Sequence, residues 1–246
     1  MFFNIFSRTD LANKAFKEAQ NQDPTFLQGW TGQAFIAETY GYVDEAMDLF
    51  RHCISLGNGL EASLGYGHFI CKTLQETSSQ KSTKTKSHSQ YIVEKMFGVS
   101  VAIDNLTRYV ERVTHDPCAL NMLGVLYERQ NLLKSAKKVL TKSLKLSGPE
   151  EQNLVLVNLA RVLYKLGELE ASIKCFKKVG QLDFEGQCGL ALSCWKAGKL
   201  EEAYGAYAAA LQMAKSGEQR SHILAAMATI AYKFQVIFLL FASEAN

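Results

Sequence analysis

The sequence predicts an all-α protein, a solenoid in which antiparallel helix pairs stack into a right-handed superhelix. Two observations lead to this fold class. Small, glycine and large apolar residues recur at fixed places with a period close to 34 residues. The chain also has only three prolines, Pro24, Pro117 and Pro149, and each lies between predicted helices rather than inside one. In such an array each helix pair contacts only its neighbours, so 246 residues form one repetitive body rather than globular domains.

One stretch sets the register for the whole chain. The positions within one repeat of about 34 residues are numbered here as places. If Trp30 is counted as place four, Ala34 falls at place eight, Gly41 at fifteen, Ala46 at twenty and Phe50 at twenty-four. Small side chains let two helices approach closely, and the large aromatics fill the space around that contact. Glycine takes the left-handed conformation that ends a first helix. This order of residue types is the tetratricopeptide repeat frame.

The frame recurs along the chain. Place eight falls at Ala34, Gly65, Gly124, Ala160, Ala191 and Ala228. The intervals lie near the 34-residue period, except for the 59 residues between Gly65 and Gly124, which indicate an insertion. Ala12, Phe16 and Ala19 hold places twenty, twenty-four and twenty-seven of an earlier repeat, so the chain is expected to open inside a second helix.

These registers divide the chain into an irregular leader at 1–10, the repeat array at 11–233 and a divergent apolar tail at 234–246. In the last repeat, Gln235 occupies place fifteen and the apolar run VIFLLF follows it. Terminal repeats normally carry a polar outer face, so both ends are expected to adjoin further repeats of a longer array. No membrane span is predicted over 223–242, because Lys233 and Gln235 lie near its middle.

The insertion is expected at about 75–98. Residues 75–90 contain no apolar side chain, so they cannot bury enough surface to offset the entropy of ordering. We expect a disordered loop between the two helices of one repeat, with second-helix places resuming at Ala102, Leu106 and Tyr109. Its Ser, Thr and Lys content leaves phosphorylation or a nucleic-acid contact as alternatives to a plain solvated loop.

The composition and motifs of the sequence argue against catalysis and against metal or cofactor binding. No nucleophile elbow, phosphate-binding loop or zinc-protease helix motif occurs, and the five histidines show no ligand spacing. The six cysteines form no CxxC pair, which favours reduced thiols and an intracellular compartment. We therefore predict no enzyme activity, no metal, no cofactor and no small-molecule substrate.

Binding is expected instead on the concave face formed by the first helices. Candidate contact residues on that face are Phe35, Glu38, Asn121, Arg129, Arg161, Tyr164, Trp195 and Lys196. The Lys and Asn clamp by which chaperone-binding repeats hold a carboxylate tail is absent. A groove with apolar and mixed-charge walls suits an extended segment or a helix of another protein.

A basic stripe is expected on the opposite, outward face. It comprises Lys134, Lys137, Lys138, Lys142 and Lys145, continued by Lys174, Lys177 and Lys178. Such a stripe is typical of a solvated surface. Contact with RNA is the alternative, although no aromatic residues are interleaved to stack on bases.

Four stretches resemble the TPR scaffold subunit family of the superkiller (Ski) complex. They are PTFLQGWTGQAFIAE at Pro24–Glu38, MDLFRH at Met47–His52, RYVER at Arg108–Arg112 and SHILAAMATIAYK at Ser221–Lys233. The resemblance covers about 11–233. It implies a scaffold that holds an RNA helicase and WD-repeat subunits and supports 3′–5′ mRNA decay by the exosome. It also implies a cytoplasmic location, with a nuclear one as a further option.

Two functions therefore stand side by side. One is this RNA-decay scaffold. The other is a generic TPR adaptor that binds a peptide or helix of a client protein in its concave groove.

The loop hypothesis predicts a simple proteolysis pattern. Trypsin should cleave first after Lys81, Lys84 or Lys86, while the parts on either side stay associated. Gel electrophoresis under denaturing conditions would show the cut, and size exclusion would show the association. Protection of all three bonds would mean that the loop is docked.

Overall fold

A computed structural model describes residues 9–57, 59–79 and 98–244. Within these ranges every regular element is an α-helix, which confirms the all-α prediction. The helices are α1 Thr9–Gln22, α2 Leu27–Thr39, α3 Val43–Leu56, α4 Leu60–Ser79, α5 Gly98–Arg112, α6 Pro117–Arg129, α7 Leu133–Leu146, α8 Pro149–Leu166, α9 Leu169–Lys178, α10 Phe184–Lys196, α11 Leu200–Met213 and α12 Gly217–Glu244. They divide between two compact units, Met1–Asn131 with α1–α6 and Leu132–Asn246 with α7–α12.

The core of the first unit forms around the repeat of α2 and α3, which contains Trp30 and Phe50 and is called the reference repeat below. Ala34 of α2 and Ala46 of α3 are completely buried, as the register predicts. The ring of Phe50 lies 5.4 Å from that of Phe35 and 5.6 Å from that of Phe69 on α4. A Cβ added at Gly65 would lie 2.6 Å from Cζ of Phe35. Glycine at this place thus lets α4 pack directly against the aromatic rings.

The repeat that the predicted insertion interrupts has both of its helices, α4 and α5. Although α4 and α5 are far apart in sequence, they pack together, and a Cβ on Gly67 would lie 2.6 Å from Cδ1 of Leu106. The backbone stays helical to Ser79, further than the predicted start of the insertion at 75. The rest of the predicted loop, at 80–97, lies outside the described residues, as does 1–8 of the predicted leader.

A single carboxylate joins α5 to α6. One oxygen of Asp116 accepts a hydrogen bond from the backbone N–H of Ala119 at 3.0 Å, which caps α6. The other accepts the hydroxyl of Tyr109 at 2.8 Å. Pro117 follows as the first residue of the helix, where its missing N–H costs nothing. Burial, and then this bond to Asp116, raise the pKa of Tyr109 to about 12, so the hydroxyl stays protonated and continues to donate.

In the second unit, a hydrogen bond shows how closely the two helices of one repeat approach each other. The hydroxyl of Ser172, at place twenty on α9, donates to the carbonyl of Ala160 at place eight on α8, at 2.8 Å. It also lies 3.1 Å from the hydroxyl of Ser193 on α10. All three residues are buried. A larger side chain at any of them would separate the helices.

The turns at place fifteen follow the frame closely. The backbone angle φ is positive at Gly41 (77°), Asn131 (59°), Gly167 (82°) and Gly198 (78°). Asparagine is the residue besides glycine that tolerates this conformation best. At Gln235 the pattern ends, since α12 continues without a turn to Glu244. Within the described part of the chain, no helix has an apolar stretch of the length that crossing a bilayer requires.

Trp30 differs from its expected place in the core. It is only half-buried, its indole N–H donates to the carbonyl of Pro24 at 2.9 Å, and its ring meets His52 edge-on at 4.5 Å. Because His52 is itself exposed, Trp30 covers the side of the helix pair instead of filling its centre.

The two aromatics of the reference repeat should therefore differ in stability effect. Phe50→Ala should lower the free energy of unfolding by about 3–5 kcal/mol, since the side chain is fully buried among other rings. Trp30→Ala should cost clearly less. Urea denaturation of both variants, with exposed Phe26→Ala as the control, measures the difference. Equal losses for Trp30 and Phe50 would contradict this account of the core.

Candidate protein-binding surface

In the first unit, the predicted groove residue Glu38 is already engaged within the protein. Its side chain is only 10% exposed and accepts Nζ of Lys72 at 3.2 Å and Nδ1 of His68 at 3.4 Å. Burial alone raises the pKa of Glu38, but the hydrogen bonds and charges of His68 and Lys72 outweigh it and lower that pKa overall. Glu38 thus ties α2 to α4 across neighbouring repeats.

The other three predicted residues of this unit differ in how far they are presented. Phe35 is half-buried against Phe50, and Asn121 is buried on α6. Arg129, at the end of α6, is exposed. Of the four groove candidates in this unit, Arg129 is the one most accessible to another protein.

In the second unit three of the predicted residues, Tyr164, Trp195 and Lys196, form a ladder of cations over aromatic rings together with Lys233, which was not predicted. Nζ of Lys196 lies 4.5 Å from the ring centre of Tyr164, and Nζ of Lys233 lies 5.5 Å from that of Trp195. The aromatic residues occupy place twelve and the lysines place thirteen of the next repeat, so the same contact recurs from α8 to α10 and from α10 to α12. At partly exposed sites such a pair contributes roughly 0.5–1 kcal/mol. Arg161 lies half-buried on α8 of the same unit.

The same unit also contains a shallow cavity, and the candidate contact residues predicted from the sequence do not include the residues that line it. It measures about 270 Å³ and lies between α10, α11 and α12. It is lined by Phe184, Cys188, Leu192, Tyr207, Gln219, His222, Ile223 and Ala226. The spacing of Phe184, Cys188 and Leu192, four residues apart on one helix, was the available signal. Burial, followed by the nearby carboxylates of Glu185 and Asp183, raises the pKa of Cys188, so this wall stays uncharged.

On the second helices, part of the basic stripe is neutralised between repeats. Lys137 pairs with Glu168 at 2.7 Å and Lys177 with Glu202 at 2.7 Å, and a third pair joins Lys199 to Glu170 at 2.7 Å. These pairs are exposed and add little stability each. They reduce the positive charge available to a phosphate backbone.

The cysteine thiols and the potential metal-binding side chains do not cluster at one site in the described part of the chain. No cysteine of the described residues forms a disulfide; Cys53, Cys71 and Cys194 are buried and Cys118 is exposed. Over the described ranges, no three His, Cys, Asp or Glu side chains converge to hold a metal ion.

Comparison with known proteins identifies both a repeat-family model that matches part of the chain and longer proteins that match most of it. A family model described as tetratricopeptide repeat matches residues 119–149 and 155–185. Tetratricopeptide repeat protein 37 of Xenopus laevis is 37% identical over 227 residues, which is 91% of this chain and 14% of that protein. Superkiller complex protein 3 of Homo sapiens is 37% identical over 226 residues, 90% of this chain and 14% of that protein. The chain thus spans about a seventh of the length of these relatives.

Among solved structures, PilW, a widely conserved type IV pilus biogenesis factor, superposes with a TM-score of 0.64. The match covers 89% of this chain and 91% of that one at 19% identity. At this identity the likeness concerns the fold alone.

The link made by Glu38 predicts a pH-dependent contribution to stability. Because the folded-state pKa lies below the usual 4.5, the contribution is present above pH 4.5 and is lost as the pH falls through the folded-state pKa. Glu38→Gln should lower the free energy of unfolding by less than about 1 kcal/mol at neutral pH, because both partners are half-exposed. Urea midpoints at neutral and acidic pH measure it.

The exposed Glu111 on α5 offers a matched control. Glu111→Gln should leave the midpoint unchanged at both pH values. If the deficit of Glu38→Gln persists unchanged in acid, the ionised carboxylate is not its cause.

Proposed function

The chain belongs to the tetratricopeptide repeat family, and we propose that it is a protein-interaction scaffold of a superkiller-type assembly that supports 3′–5′ cytoplasmic mRNA decay by the exosome. The observation that carries this proposal is the 37% identity to superkiller complex protein 3 over nine-tenths of the chain. The sequence resemblance at Pro24–Glu38 pointed to the same family. Since the chain spans only 14% of that relative, its partners are part of the proposal.

The proposed partners are the RNA helicase and the WD-repeat subunits of the assembly, with the exosome reached through them. The surface features support binding of protein more than binding of RNA. The first helices present partly exposed rings with cations above them, as at Tyr164 and Lys196, and such surfaces suit an amphipathic helix or extended segment. The outward lysines are partly paired with carboxylates, as at Lys137 and Glu168. The chain would act by holding proteins together rather than by catalysis.

The adaptor function remains a second candidate because of the cavity between α10, α11 and α12. Its apolar walls and uncharged thiol could accept one side chain of a client peptide. The exposed Lys196 lies on the same helix, α10, where it could pair with an acidic residue of that peptide.

Co-purification separates the two functions. The tagged chain should retain the purified superkiller helicase and WD-repeat subunits on an affinity column if the scaffold proposal holds. Cys188→Phe fills the cavity, and Cys118→Phe makes the same change at an exposed site on α6. Both variants should bind these subunits as the parent chain does.

An adaptor would give a different pattern. The helicase and WD-repeat subunits would not be retained, and a client peptide would bind to the parent chain and to Cys118→Phe but not to Cys188→Phe. If neither the subunits nor a peptide binds to the folded chain, both proposed functions are wrong.

A further inference from the structure

The outward faces of α7 and α9 carry lysine at two places where α1 and α5 carry opposite charges. Places twenty-two and twenty-six hold Lys14 and Glu18 in α1, and Asp104 and Arg108 in α5. On a helix, opposite charges four residues apart stabilise it, and like charges at this spacing destabilise it. In α7 and α9 both places hold lysine, namely Lys138 and Lys142, and Lys174 and Lys178. These two helices therefore lack a stabilising pair and carry a repulsive one.

The first turn of α7 departs from the other second helices in the same direction. Place eighteen holds Asp10 in α1, Asp44 in α3, Glu170 in α9 and Glu201 in α11. An acidic residue is favourable there, because the N-terminus of a helix is its positive end. In α7 the same place holds Lys134, and the whole helix, LKSAKKVLTKSLKL, contains no acidic residue. The lysines of α7 thus occupy places where the charges of the helix itself oppose them.

These lysines are accessible from solvent. Ala136 and Leu140 bury the inward side of α7, so the lysines project from the opposite side. In the part of the chain that the structure describes, the lysines of α7 and α9 that form ion pairs are Lys137 and Lys177. The remaining exposed lysines at places eighteen, twenty-two and twenty-six, here called the lysine face, are Lys134, Lys138, Lys142, Lys174 and Lys178.

The spacing within the lysine face matches a helix of opposite charge. Lys134, Lys138 and Lys142 follow one another at intervals of four residues, which corresponds to a rise of about 6 Å per step. Carboxylates four residues apart on another helix have the same rise, so several charge pairs could form at once. We propose that the lysine face binds an acidic segment of another protein, a helix whose carboxylates recur every four residues.

The side chains around the lysine face favour protein over RNA as the partner. Surfaces that bind single-stranded nucleic acid usually combine cations with aromatic rings on which bases stack. Here α7 has no aromatic residue, and Phe176, the aromatic residue of α9, is only 3% exposed. A lysine ammonium is a compact charge with three donors on a flexible stem, so it adapts to a carboxylate without a fixed geometry.

This site is separate from the one considered above. The candidate residues of the concave face lie on first helices, whereas the lysine face lies on second helices. Its test uses no subunit of the superkiller assembly, so the two proposals succeed or fail independently.

Fluorescence anisotropy with defined probes tests the proposal on the full chain. The probe is a labelled alanine-rich peptide of about 20 residues, long enough to form a helix, with Glu at every fourth position. The same peptide with Gln at those positions, and a labelled oligouridine of equal charge, serve for comparison. The Glu peptide should bind at low ionic strength, more tightly than either, and its affinity should fall as salt is raised to about 0.15 M.

The double variant Lys138→Glu with Lys174→Glu should weaken binding of the Glu peptide by at least about tenfold, because like charges would then face each other. Its melting temperature should not fall. Each new carboxylate would lie one helical turn before a lysine, in the order that Asp104 and Arg108 have in α5.

A matched control removes the same charge elsewhere. Lys17 on α1 and Lys215 between α11 and α12 are both exposed. Lys17→Glu with Lys215→Glu should bind the Glu peptide within about twofold of the parent chain, since distant exposed charges are largely screened.

Three results would overturn the proposal. The first is that the Glu peptide binds no better than the Gln peptide. The second is that both double variants weaken binding equally, because net charge alone would then explain it. The third is that the oligouridine binds as tightly as the Glu peptide, which would make the lysine face a nucleic-acid surface.

Discussion

The array depends on how closely the two helices of each repeat approach at places eight and twenty. Ala34 and Ala46 are completely buried at this contact, and in another repeat the hydroxyl of Ser172 reaches the carbonyl of Ala160 at 2.8 Å. At such a distance a glycine, alanine or serine fits and a branched side chain does not. Larger residues such as Phe50 then fill the space left around the contact. The remaining faces of the helices are free to vary, and the differences between repeats lie there.

Because this constraint recurs at a fixed period, the sequence alone predicts most of the fold. Glycine and asparagine at place fifteen mark the turns, and positive φ angles at Gly41 and Asn131 agree with that. The burial of Trp30 was overestimated, because its neighbour His52 lies on an exposed edge that the repeat frame does not describe. The insertion, predicted to begin at about 75, overlaps the last residues of α4. Polar residues alone do not end a helix, and its backbone stays helical to Ser79.

The contacts of the candidate binding residues were harder to predict than the fold. Place numbers located Glu38 and Trp195 on the first helices, but not the partners that each meets in the next repeat. Lys72 lies 34 residues beyond Glu38, and its contact depends on side-chain length and on the stagger between helices. The cavity beside Leu192 arises from gaps among three helices, so no single helical pattern contains it. Periodicity thus predicts which residues share a face more readily than which of them remain available.

The two bonds of Asp116 give the first unit a property that neither helix has alone. One carboxylate both starts α6 and holds the hydroxyl of Tyr109 at the end of α5. If α5 frays, this carboxylate loses a partner that helps to keep it in the capping position, and α6 becomes easier to open. Order is then transmitted from one repeat to the next through an electrostatic contact as well as through packing. In a linear array such nearest-neighbour coupling makes adjacent repeats melt together rather than one by one.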